Sequence, residues 1–258
     1  MRQPVLLASL AALAAGLVFA AAGRTEAPGR LEFWPARALA VTLDAQAVRR
    51  FPGWLKSYAA ARDFEISAHR YGPRTLVFTL YGKDIVIGGE NRFDAQRYAV
   101  KFYRYRGRAD PDAETIQTRA EAFSRHFRKK TGVTVSRSFA VREPVHGQGA
   151  VRKLNIALKR GARSRFLNRL RAYARKYGYV TTASENAGPP FPVMHLSMLG
   201  ETVRISVSNP FDPREFRVFL YPNGPESSAD GEMGRIAGQF ADFIGQAEGV
   251  TVSERVSK

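Results

Sequence analysis

Apolar and polar residues alternate at Leu39, Val41 and Leu43, and again at Leu154, Ile156 and Leu158, so each stretch reads as a strand with one buried face. Downstream of each, the spacing changes to that of a helix: Phe51, Leu55, Tyr58 and Ala59 in one place, and Phe166, Leu170, Tyr173, Ala174 and Tyr177 in the other. Alternating runs near 64–69, 75–81, 84–90 and 97–105 predict four strands, with counterparts near 179–184, 193–199, 202–208 and 215–221. A second helical stripe carries Ile116, Ala120, Phe123 and Phe127, mirrored by Met233, Ala237, Phe240 and Ile244, and a short strand closes each series. The predicted order is β-α-β-β-β-β-α-β, twice. The expected fold is α+β: two tandem copies, each a mostly antiparallel sheet with two helices on one face.

The two series are copies in sequence as well as in pattern. At an offset of 115, Arg50, Phe51, Leu55 and Tyr58 fall on Arg165, Phe166, Leu170 and Tyr173. At 118, Gly82, Ile87, Asn91, Phe93, Asp94, Val100 and Tyr103 fall on Gly200, Ile205, Asn209, Phe211, Asp212, Val218 and Tyr221. At 117, the run from Gly132 to Ser136 recurs from Gly249 to Ser253. Ordered matches at close offsets are the mark of a duplication with short insertions. The first repeat is placed at 39–136 and the second at 154–258, joined by a linker over 137–153 that contains Pro144, Gly147 and Gly149, with an N-terminal extension over 23–38.

Residues 1–22 break the pattern. Met1 and Arg2 precede an apolar run from Val5 to Ala22 with small residues at its end, the order of a secretory signal whose removal near Gly23 would release a periplasmic protein. The alternative is an uncleaved segment anchoring the chain in the inner membrane. The chain has no cysteine, which excludes a thiol nucleophile and a disulfide framework and suits export to a bacterial periplasm.

The formal charge of +17 is unevenly spread. Residues 137–176 hold twelve basic residues and one acid, Glu143, whereas residues 177–258 hold six basic residues and ten acids. An exported protein with this polarity is expected to meet an acidic protein or an anionic envelope lipid or glycan, not nucleic acid.

No catalytic or cofactor motif stands out. His69, His126, His146 and His195 do not coincide between copies, and Glu143 and His146 form a lone pair in a Gly/Pro-rich loop. The residues Gly88 and Gly89 are expected to mark a bulge or strand end. The repeated loops 91–94 and 209–212 read as tight turns in which Asn and Asp bond nearby backbone while Phe caps the sheet edge. No metal, cofactor or catalytic residue is assigned.

Two surfaces are candidate binding sites. The helix expected from Ser164 to Tyr177 carries Arg165, Arg169, Arg171, Arg175 and Lys176 off its apolar stripe; at the equivalent five positions its counterpart has only Arg50 and Lys56 as cations. The sheet faces turned away from the helices carry Lys101, Tyr103 and Tyr105 in the first copy and Arg204, Arg217, Phe219 and Tyr221 in the second, residue types that dominate binding energy at interfaces. The structural alternative is that the two copies stack these faces on each other as internal core. The function expected is a non-enzymatic binding protein that binds or inhibits a protein partner such as a toxin or envelope enzyme, in the manner of an immunity protein. A binder of anionic lipid or glycan is the alternative, and a hydrolase, which needs an acid pair the sequence does not place, comes last.

Overall fold

The computed structural model describes residues 30–31, 34–71, 74–106, 112–142, 150, 152–186, 191–223 and 230–254. The first set of elements is β1 (Arg30–Leu31), β2 (Arg37–Leu43), α1 (Ala45–Ala60), β3 (Glu65–Arg70), β4 (Leu76–Tyr81), β5 (Ile85–Glu90), β6 (Arg97–Arg106), α2 (Ala113–Arg128), β7 (Val133–Val135) and β8 (Phe139–Ala140). The second is β9 (Arg152–Leu158), α3 (Arg163–Lys176), β10 (Val180–Asn186), β11 (Val193–Leu199), β12 (Val203–Asp212), β13 (Glu215–Pro222), α4 (Asp230–Gly245) and β14 (Val250–Glu254).

Both sheets are antiparallel and share one strand order, β3-β4-β5-β6-β2-β7 in the first and β10-β11-β12-β13-β9-β14 in the second. In each, the opening strand lies inside the sheet between the fourth ladder strand and the closing one. One face is apolar and carries both helices: Phe51, Leu55 and Tyr58 of α1 and Ile116, Phe123 and Phe127 of α2 are buried with Leu39, Val41, Leu80, Ile87, Val100 and Phe102. In the second unit Phe166, Leu170 and Tyr173 of α3 and Met233, Phe240 and Ile244 of α4 meet Leu154, Ile156, Leu196, Ile205, Val218 and Leu220. Burial of these apolar side chains is the main driving force for each unit.

The likeness extends to single hydrogen bonds. Asn91 Oδ1 accepts from the Leu76 amide at 2.7 Å and its Nδ2 donates to the Arg74 carbonyl. Asn209 does the same with Met194, at 2.6 Å, and with Pro192. Gly82 donates to the Ile85 carbonyl and Gly200 to that of Val203. Gly132 and Gly249, both at φ 77°, close the turns whose carbonyls accept from Asp44 and Lys159.

Several features differ from the sequence pattern. Strands β1 and β8 are additional, β2 starts inside the expected extension, β9 starts inside the expected linker, and β12 runs on to Asp212 through a register shift after Ser208. Gly88 and Gly89 keep an unbroken ladder with β4 and β6, so of the two expectations the bulge is absent, and the glycines are the fourth and fifth of the six residues of β5, next to its end at Glu90. The physical reason for Gly89 is the Phe78 ring, which occupies the space a side chain would need. The apolar run 1–22 and the pair Glu143 and His146 lie outside the described residues. Among the described residues no helix is long and apolar enough to cross a membrane.

The two units meet through a small third core. Ala38, Ala40 and Ala99, on the face of the first sheet away from its helices, pack with Phe139, Val141, Val180 and Leu199. Alanines there let strand β10 approach β2 and β6 closely. Arg97 Nη2 donates to the Tyr179 carbonyl at 3.0 Å across this junction, and Asn223 binds the end of β8 and the residues beyond it, donating to the Ala140 carbonyl and accepting from the Arg142 amide.

Candidate functional site

The helix expected to be a cationic contact surface has its guanidinium groups engaged within the chain. Arg165 Nε donates to the Glu248 carbonyl at 3.2 Å. Arg169 lies over the Phe243 ring, 4.0 Å from its centroid, while donating to the Phe243 carbonyl and to Gln246 Oε1. Both therefore tie α3 to the end of α4. Lys176 sits near the Tyr177 and Phe243 rings, at 5.2 and 5.4 Å.

Arg171 and Arg175 cross to the first repeat. Arg171 Nε donates to the Phe93 carbonyl at 2.7 Å and its guanidinium stands 5.0 Å from the centre of the Phe93 ring. Arg175 makes a fork with Asp94, Nε to Oδ2 at 2.6 Å and Nη2 to Oδ1 at 2.7 Å. The Asp94 side chain is 5% exposed, and hydrogen bonding to it holds the Arg175 pKa above its ordinary value, with burial opposing. Phe93 itself belongs to the core of the second repeat. The expectation that Phe93 caps its own sheet edge is thus corrected: the Asn91 clamp and the bond from the Gln96 amide to Asp94 shape a tight turn, and the turn delivers Phe93 to the neighbouring repeat.

On the first sheet, the face away from the helices is partly covered. Burial pushes the Glu90 carboxyl up and the Lys101 ammonium down, each partly offset by the other's charge, and pushes the Tyr103 hydroxyl up to about 12. The Tyr103 ring lies against Gly88. The Tyr105 side chain lies outside the described residues.

On the second sheet the corresponding face is more open. Arg204 stands over two rings, 4.6 Å from the centre of Tyr221 and 5.3 Å from that of Trp34, and burial lowers its pKa from the ordinary value. Phe219 and Tyr221 are neighbours, at 6.5 Å between centroids. Arg217, two residues before Phe219, stands 4.4 Å over the exposed Phe211 ring. Ladder pairing places Lys153 beside Phe219 and Ser208 beside Arg217 and His195, so one side of the sheet carries Lys153, His195, Arg204, Arg217, Phe219 and Tyr221. Glu215 shares that side at the hairpin end. Trp34 carries no signal in the repeat pattern, because it precedes the first repeat and has no counterpart in the second copy.

Chemically, such an array holds carboxylates through guanidinium hydrogen bonds and flat apolar groups through its rings. Among the described residues no three His, Asp or Glu side chains gather into a group able to hold a metal ion. A groove beside α1 is a further cationic feature: Arg49 and Arg74 line two adjoining cavities of about 150 and 340 Å³, and Arg70 lines the smaller.

No family model matches the chain, and no curated protein matches it in sequence. Among solved structures it is similar to one described as an X-ray crystal structure of a heavy metal efflux pump, crystal form I, with 10% identity and a TM-score of 0.29. The alignment covers 88% of this chain and 32% of that one, so the chain spans about a third of the pump's length. A likeness of this size carries no statement about fold, ligand or activity.

Proposed function

We propose that the chain is an exported, non-enzymatic binding protein that takes an acidic protein partner on the open side of its second sheet, as an inhibitor or immunity-type protein would. The observation that supports this reading is the array of Arg204 over the Trp34 and Tyr221 rings, with Arg217, Lys153 and Phe219 on the same sheet side as Arg204 and Tyr221. Arginine and large aromatic residues together are the residues most often found to carry interface energy. Export rests on the apolar run 1–22, and the absence of cysteine suits a periplasmic destination.

A photo-crosslinking residue at exposed His195 tests the reading in envelope extracts. One acidic protein should be captured by the wild-type chain. Capture should fall at least tenfold in a Lys153→Glu/Arg217→Glu variant, and the difference should narrow as salt rises, because exposed charges act through screened attraction. Equal capture by the variant at low salt would remove the sheet from consideration. The second reading, an anionic lipid headgroup or glycan, has its own support in the groove with Arg49, Arg70 and Arg74. Under that reading the sheet variant keeps its retention on vesicles containing phosphatidylglycerol, and an Arg49→Gln/Arg74→Gln variant loses it.

A further inference from the structure

The segments 91–94 and 209–212, the first a turn after β5 and the second the end of β12, share their side-chain hydrogen bonds and end in opposite surroundings. Asn91 and Asn209 hold the same two backbone partners, and Asp94 and Asp212 each accept from the amide two residues on. Yet Phe93 is 6% exposed and seated in the second repeat, while Phe211 is 69% exposed. The Asp94 side chain is 5% exposed and bridged by Arg175, while that of Asp212 is 39% exposed, with Arg214 of its own turn at 4.0 Å.

We propose that Phe211 and Asp212 form a docking knob for a helix of a partner protein that presents two arginines four residues apart, the arrangement that α3 presents to Phe93 and Asp94. The seated twin supplies the chemistry. A guanidinium over the ring adds cation-π attraction, and a second one forks onto the carboxylate in a geometry that lysine cannot reproduce. Arg217 already covers one face of the Phe211 ring, and the ring is nonetheless mostly in solvent. A second copy of this chain is a poor occupant. Its α3 is filled by its own Phe93 and Asp94, and α1, the equivalent helix, has Lys56 and Ala60 where α3 has Arg171 and Arg175. The knob adjoins the cationic array proposed above to hold an acidic partner and shares Arg217 with it, but its own carboxylate selects the opposite charge.

The test uses the full chain, labelled with ¹⁵N, and an alanine-based helical peptide carrying two arginines four residues apart. The chain's formal charge of +17 repels a cationic peptide, so general electrostatics works against binding and a saturable response reports a specific seat. Amide shifts centred on residues 211–214 are expected. Affinity should drop at least tenfold when the peptide's arginines become glutamines, and likewise when the chain carries Phe211→Ala/Asp212→Asn. Because Phe211 is exposed, the variant should keep the wild-type spectrum elsewhere. Equal binding of the arginine and glutamine peptides, shifts centred elsewhere, or no shifts at millimolar peptide would each overturn the proposal.

Discussion

Helices α1 and α3 are the same element of a duplicated unit, and they have diverged in what holds them and in what they hold. The first starts under the Asp44 carboxylate, which accepts from the Gln46 and Ala47 amides, runs through Pro52 and Gly53, and ends just before Asp63 at φ 53°. The second has no side-chain cap, no internal proline, and Gly178 at φ 74° after its end. Helix propensity is therefore poor in mid-α1, and its cap and its buried Phe51, Leu55 and Tyr58 must compensate. Helix α3 has a cleaner interior and a different load: Arg171 and Arg175 on its outer side clasp the first repeat. After duplication the core stripe was kept in both helices, and the outer side was free to become a seat in one.

The comparison breaks most visibly at the two phenylalanines of the repeated loop. Phe93→Ala should destabilise the chain by about 3 to 5 kcal/mol, since it removes a buried ring and leaves a cavity in the second core. The same change at exposed Phe211 should lie within about 0.5 kcal/mol of wild type. Denaturant titration followed by circular dichroism reads both. Similar losses at the two positions would show that the loop acts only within its own repeat.

That contrast also marks how far the sequence could be read. The periods of two and 3.6 residues located the helices and the strands of the two units other than β1 and β8, because most of them have one side against the core and the pattern is local; β3, which buries no residue, was placed by its alternation alone. The 118-residue offset aligned Asn91 with Asn209 and Phe93 with Phe211, and the same hydrogen bonds appear in both. Seating could not be read that way. Asp94 and Arg175 are 81 residues apart, and each alone is an ordinary turn residue or helix-surface cation. A usable signal was present: the acid and aromatic recur in both loops, whereas the arginine pair occurs in one helix, which is what a single filled seat leaves behind. Strand pairing by β1 and β8 was less legible still, since two-residue strands show no period.

A smaller effect should be shared by the two repeats. A side-chain carbon at Gly82 would stand 2.5 Å from the Phe64 ring, and one at Gly200 would stand 2.7 Å from the Tyr179 ring. Alanine at either position overpacks the same corner, and about 1 to 3 kcal/mol should be lost in each case. The two losses should agree closely. Phe64→Leu, which clears the first ring away, should relieve most of the cost of Gly82→Ala and none of that of Gly200→Ala; if it does not, the glycine is required for a reason other than the ring.

The smallest difference lies at the ends of α1 and α3, where one backbone conformation is filled by two residue types. Asp63 and Gly178 fall on each other at the 115 offset, and both have positive φ, which costs a residue with a side chain and costs glycine nothing. Nothing lies within 4 Å of a side-chain carbon built on Gly178, so the penalty of Gly178→Ala comes from the backbone alone and should be about 1 kcal/mol. Gly178→Asp, which copies the first repeat, should cost less, because aspartate tolerates this region better than alanine does. The reverse change, Asp63→Gly, relieves strain in the folded chain but also loosens the unfolded one, so the two terms oppose and a gain of at most about 0.5 kcal/mol is expected. Thermal unfolding of the three variants should therefore show two losses of unequal size and one slight gain. A clear loss on Asp63→Gly would mean that the aspartate side chain itself supports the turn, and the two helix ends would then differ in mechanism as well as in residue.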